Sequence, residues 1–204
     1  MALIALDHLA VACTTLDEGR AAVEAALGVP LQTGGQHAAF GTHNLLLGLN
    51  DLYLEVIAID PDARAPDRPR WFDLDRFRGL PRVTNWICRT DDMAAALAAS
   101  PPGTGTPVAL ERGDLRWQMA VPDDGILPHG NLFPALIQWQ GTAHPAPRLD
   151  PRGCTLDRLV IETPDPALEP ALAPLLADPR VVIEPGDRRA LHAAIRTPGG
   201  LRWL

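Results

Sequence analysis

The sequence lacks most of the features that would assign it a class at a glance. No apolar run reaches the roughly 18 residues that a helical membrane span needs, so no membrane association is expected. Only three cysteines occur, Cys13, Cys88 and Cys154. They are far apart and odd in number, which suits neither a disulfide framework nor a zinc site, and they read as reduced, mostly buried thiols in the cytoplasm. Positive charge is scarce: 18 Lys+Arg against 25 Asp+Glu give a formal net charge of −7. Without a basic patch, binding to nucleic acid or anionic lipid is not expected. Arginines do gather in residues 61–79, PDARAPDRPRWFDLDRFRG, but aspartates are interleaved with them and the stretch reads as a solvated connector. There is no Gly-x-Ser-x-Gly elbow, P-loop or dinucleotide fingerprint, so no nucleotide cofactor is expected. The opening MALIALDHLAVAC has no basic leader or small-residue cleavage pattern and does not read as a signal peptide.

What is present is a core and a repeat. Hydrophobic residues make up 47% of the chain, enough for a packed interior. Residues 5–11, ALDHLAV, align with residues 155–161, TLDRLVI. Each is a short apolar strand that leads into an Ala/Leu-rich helix. In the first copy the helix is expected over 15–28, with Thr15 as N-cap, Glu18 at the capping-box position and Gly28 as the stop. In the last copy it is expected over 165–178, shortened or broken by Pro170 and Pro174. A middle copy has its strand at 82–90, RVTNWICRT, and its helix at 91–100 with Asp91 as cap. Two or three strands joined by Gly/Asn/Asp turns follow each helix. The pattern predicts three βαβββ units, at 1–60, 80–140 and, shortened, 153–204, with linkers at 61–79 and 141–152.

At LDHLAVACTTLDEG, at GGQHAAFGTHNLLLGLNDLYLEVIAID and more faintly at ALIQWQGTAHP, the chain resembles the vicinal oxygen chelate superfamily, and within it the glyoxalase-like domain proteins. The resemblance implies an α+β fold of paired βαβββ modules, as in glyoxalase and bleomycin-resistance proteins. Their curved sheets form a cup with the helices outside. It also implies a divalent metal in the cup, held by His, Glu or Gln from the first and last strands of each module, and a small oxygen-rich substrate bound through adjacent oxygens.

The residues meet that resemblance at two positions. Alternation on strand 3–12 puts Ile4, Leu6, His8, Ala10 and Ala12 on one face, and on strand 52–59 it groups Tyr53, Glu55, Ile57 and Ile59. His8 and Glu55 each interrupt an apolar face, and a buried carboxylate needs a partner. They fall where the resemblance places first-module ligands, and an imidazole with a carboxylate suits Zn, Mn, Fe(II) or Ni. His37, on the second strand, and His43, at the turn opening the third, are candidates for a third ligand or a general base. The later copies do not repeat the pair. Asn85 and Arg158 stand at the position of His8, and Ala135 or Leu136 at that of Glu55.

Three readings therefore stay open. One is a metal-dependent lyase, isomerase or oxygenase-type enzyme in which the metal acts as Lewis acid. Another is a metal-free pocket walled by Tyr53, in which Asn85 or Arg158 holds a small ligand without chemistry. The third is a buried ionic cluster that only supports the fold. Trp71, Trp86, Trp117, Trp139 and Trp203 are expected as core or pocket wall, not as stacking platforms for bases. An odd number of modules makes a homodimer the expected assembly.

Overall fold

A computed structural model describes residues 3–204; residues 1 and 2, which open the first expected unit, lie outside the described residues. The first unit runs β1 (Ala5–Ala12), α1 (Leu16–Leu27), β2 (Gln32–His37), β3 (Thr42–Leu49) and β4 (Leu52–Ile59). The second runs β5 (Arg82–Arg89), α2 (Met93–Ala98), β6 (Thr106–Arg112), β7 (Leu115–Val121) and β8 (Ala135–Trp139). The third runs β9 (Thr155–Thr163), a helical turn Leu168–Leu172, β10 (Val181–Pro185), β11 (Ala190–Thr197) and β12 (Gly200–Trp203). The fold is α+β.

In the first two units the opening strand lies parallel to the last, β1 beside β4 and β5 beside β8. Antiparallel pairing of β1 with β5 joins the units into one eight-stranded sheet, β2-β3-β4-β1-β5-β8-β7-β6. The third unit repeats the order of elements but not their wiring. The parallel partner of β9 is β10, and the four strands form a separate sheet, β10-β9-β11-β12.

Local chemistry sets the helix ends. The Thr15 hydroxyl accepts from the Glu18 N–H at 3.2 Å, and Gly28 closes α1 at φ 70°, where a side chain would be strained. The cap of α2 is Asp92, not Asp91: its carboxylate accepts from Ala95 N–H at 3.0 Å. The third helix is cut to five residues, because Pro174 has no N–H to continue it.

The eight-stranded sheet has two apolar faces. Its outer face packs Leu9, Leu54, Val56 and Trp86 against Val23 and Leu27 of α1, Met93 of α2, and Leu159, Ile161, Leu191 and Ile195 of the second sheet. The third unit is therefore a lid on the outer core and supplies no wall of the cup. The inner face curls until its two edges meet, and Arg112 on β6 reaches His37 on β2 at 3.2 Å. The 61–79 segment departs from the expected solvated connector. Trp71, Phe72 and Leu74 are buried against Phe40, Ile57 and Ile87 inside the curl, and the Trp71 ring stacks on Phe40 at 4.0 Å. The apolar WF pair supplies the burial energy, while the largely buried Arg70 and the exposed Arg76 pair with Asp75 and Asp73. Among the described residues no helix is long and apolar enough to cross a membrane.

Candidate functional site

The inner face encloses a cavity of about 30 Å³ lined by His8, His37, Asn44, Tyr53, Glu55 and Arg112, with Trp71, Trp117 and Trp139 among its walls. That is room for a water-sized occupant. On β4 the simple alternation holds: Leu54 and Val56 enter the outer core, while Glu55, only 5% exposed, points into the cavity. Its Oε1 accepts from Asn44 Nδ2 at 2.6 Å. Nε2 of His8 lies 3.9 Å from Oε2, and Nε2 of His37 lies 3.9 Å from Oε1. Such separations are too long for a hydrogen bond and fit a bridging atom between the groups.

On β1 the alternation breaks. A bulge between Leu6 and His8 leaves Asp7 without a partner opposite it on β5. Ile4 and Leu6 turn into the outer core, which corrects the expectation that they share a face with His8. Asp7 comes to the same side as His8 and places Oδ1 2.6 Å from its Nδ1. Burial pushes the Asp7 carboxyl up, but hydrogen bonds from His144 and His8, with their charge, outweigh it and hold the group well below the usual carboxylate range.

Glycines shape the second strand. The register of β2 against β3 shifts between Thr33 and Gln36, the Gly35 N–H donates to Asn44 Oδ1 at 2.7 Å, and a Cβ at Gly34 would overlap the Asn44 side chain. TGGQ is thus the cradle that aims the Asn44 amide at Glu55.

His37 is neutral in this arrangement. Guanidinium groups only donate, so Nε2 of His37 is the acceptor facing Arg112, and Nδ1–H donates to Thr42 Oγ1 at 3.1 Å. Burial lowers its pKa to about 4, helped by repulsion from Arg112, His8 and His43 and opposed by the attraction of Glu55.

The family described as a glyoxalase-like domain matches residues 6–177. The chain belongs to that family. The vicinal oxygen chelate likeness of LDHLAV and LYLEVIAID therefore holds. Among solved structures, a hypothetical protein from Staphylococcus aureus aligns with 95% of this glyoxalase-like chain and 91% of its own, at TM-score 0.61 and 13% identity. Methylmalonyl-CoA epimerase from Mycobacterium tuberculosis aligns with 70% of this chain and 92% of its own, at TM-score 0.45 and 20% identity. A point variant of the Streptomyces coelicolor methylmalonyl-CoA epimerase, in complex with 2-nitronate-propionyl-CoA, gives 70%, 100%, 0.46 and 19% in the same order. At 13% identity the first of these likenesses speaks for the fold alone. No curated protein matches significantly.

Of the residues singled out in the sequence, the fold of this glyoxalase-like chain brings His8, His37, Tyr53 and Glu55 together. Tyr53 stacks on His8, ring centroids 4.3 Å apart. The other three lie elsewhere. The hairpin turn occupies 38–41, so His43 lies inside β3 and not at the turn that opens it; it shares the face of Leu45 and Leu47, while Thr42 and Asn44 look inward. Asn85 is fully buried on β5 opposite Ala10, with its amide unpartnered and outside the cavity lining. Arg158 is exposed on β9 in the second sheet, so it does not neutralise Glu55. Sequence reasoning missed Asp7, Asn44 and Arg112, and set His144 aside as a loop residue. An acid inside an apolar strand was a usable signal for Asp7. Arg112 and His144 become visible only through tertiary contacts.

A divalent metal fits this donor set poorly. Nε2 of His37 accepts from Arg112, and Oε1 of Glu55 accepts from Asn44. That leaves Nε2 of His8 and Oε2 of Glu55, short of the three or four donors such ions take. Among the described residues no group of three His, Cys, Asp or Glu side chains is arranged to hold a metal.

Proposed function

We propose that this glyoxalase-like protein is an enzyme that moves a proton at a carbon beside a carbonyl or carboxyl group of a small oxygen-rich metabolite. One observation carries the reading: an imidazole nitrogen and a carboxylate oxygen lie 3.9 Å apart on the wall of one buried cavity, so that an atom held in the cavity beside them is within reach of both. His8 or Glu55 takes the proton from carbon. The bonding pair moves onto the substrate oxygen, and the Arg112 guanidinium, whose contact in the cavity is an imidazole and not a carboxylate, holds the developing negative charge. The proton then returns to carbon or to the neighbouring oxygen, which makes the reaction an isomerisation or racemisation. His37, kept neutral, orients Arg112. No step runs through a metal.

The cavity of about 30 Å³ is too small for a metabolite, so the substrate enters by displacing the Trp71–Phe72 plug. The two paired units complete the cup within one chain, and a homodimer is not needed to build it.

The test uses protein purified without chelator or tag-bound metal. Small 2-oxo and 2-hydroxy acids are incubated with it in heavy water, and loss of the carbon-bound proton is followed by NMR. Exchange is expected with the parent, reduced on the order of 100-fold or more in His8→Ala and Glu55→Gln. Stoichiometric metal in the parent, lost in both variants, replaces this reading with the metal-dependent one. Binding without exchange points instead to a protein that only sequesters its ligand.

A further inference from the structure

The reading above leaves open which of two groups accepts the proton, and the residue that answers it lies one position before His8. Asp7 is fully buried and interrupts β1 at the bulge. It accepts from three side chains drawn from distant parts of the chain. Trp139 Nε1–H, on β8, donates to Oδ2 at 3.0 Å. His144 Nε2 lies 3.0 Å from the same oxygen. Nδ1 of His144 accepts from the Ala146 N–H at 3.2 Å, which leaves the His144 proton on Nε2, facing Asp7. His8 Nδ1 lies 2.6 Å from Oδ1.

An ionised carboxylate only accepts, so Nδ1 of His8 carries a proton and Nε2 keeps its lone pair. That lone pair is on the side of Glu55 Oε2. Tyr53, stacked 13° from parallel on the imidazole, holds the ring plane. We propose that Asp7 is a positioning residue that fixes His8 as the Nδ1–H tautomer and aims its Nε2 at the cup, making His8 the proton acceptor. The inference rests on the proposed use of the cup for proton transfer. Asp7 touches no substrate. It acts through His8, and it also faces the positive charge that His8 carries once Nε2 is protonated.

The bulge makes this possible. In a regular strand Asp7 and His8 would point to opposite faces, and the carboxylate would be lost in the outer core among leucines. Trp139 and His144 also line a groove of about 410 Å³, together with Asn50, Asp51 and Arg89. The second unit and the chain that follows it therefore anchor the group that orients a side chain of the first.

The test is spectroscopic and needs no substrate. The full chain, labelled with ¹⁵N in its histidine rings, is studied by long-range proton–nitrogen correlation above pH 8. His8 is expected with its proton on Nδ1, in a strong hydrogen bond, and with Nε2 bare. In Asp7→Asn the side-chain amide can donate to Nδ1, and the His8 proton is expected to move to Nε2. A parent His8 protonated on Nε2, or a tautomer unchanged in Asp7→Asn, overturns the proposal. Should Asp7→Asn fail to fold, the parent measurement still tests it. A Nδ1–H His8 in a protein that exchanges no substrate proton leaves the positioning role standing and removes the proposed reaction. Where exchange is found, Asp7→Asn is expected to lower kcat at least tenfold with KM little changed.

Discussion

His37 carries the clearest dependence on pH among the cavity residues. The unfolded chain protonates this side chain near its ordinary value of 6.5, while the folded protein, which buries it beside Arg112, resists until about 4. Between those values the unfolded state binds more protons, so His37 makes stability fall as pH drops through that window and leaves it level above it. The full span is worth on the order of 3 kcal/mol. Urea unfolding at pH 7.5 and 4.5 is expected to show this loss in the parent and a smaller one in His37→Gln. Equal losses would place the acid sensitivity elsewhere. His8 and Glu55 were legible in the sequence because each is polar on a strand face that is otherwise apolar, whereas His37 was named only as a histidine on the second strand. His43 was misread because placing it in the turn, and not in the strand, hides that alternation turns it to the face of Leu45 and Leu47. Arg112 was not legible, since a lone arginine at a strand end is ordinarily a surface residue.

At the scale of the element, two irregularities build the site. One is the bulge in β1. The other is the glycine pair in β2, where a methyl group at Gly34 would collide with the Asn44 side chain. Gly34→Ala is expected to cost about 1–3 kcal/mol, as overpacking does, and to pull the Asn44 amide away from Glu55. Chemical denaturation reads the first effect and a changed Asn44 side-chain amide resonance the second. An unchanged amide signal would mean that the cradle does not place Asn44. The ends of α1 were readable because capping is local: Thr15 and Gly28 act on atoms within four residues of themselves. Bulges are less so, because the extra residue is defined only by the strand opposite.

At the scale of the whole molecule, the second sheet covers the outer face of the first. Leu156, Leu159, Ile161, Leu191 and Ile195 enter the same core as Leu6, Leu9 and Trp86. At about 1.5–3 kcal/mol for each buried aliphatic side chain, five such residues amount to roughly 10 kcal/mol, comparable with the net stability of an ordinary domain. A chain ending at residue 150 is thus expected to lose cooperative unfolding and to aggregate through the bared face, as size-exclusion chromatography and the near-ultraviolet dichroism of its tryptophans would show. A shortened chain that melts at the parent's midpoint would reduce the second sheet to an ornament.

The sequence by itself determined the α+β class, the strand–helix–strand order of each unit, the caps of α1 and the inward pair His8 and Glu55. All of these follow from periodicity and from contacts between near neighbours in the chain. Only the tertiary structure decided which units share a sheet, that the third is wired differently, that a connector plugs the cup, and that Arg112, Asp7 and His144 attend the two candidate bases. Those outcomes depend on contacts between residues as far as 137 positions apart. No local rule fixes such contacts, because the free energy that selects them comes from burial shared across the whole molecule.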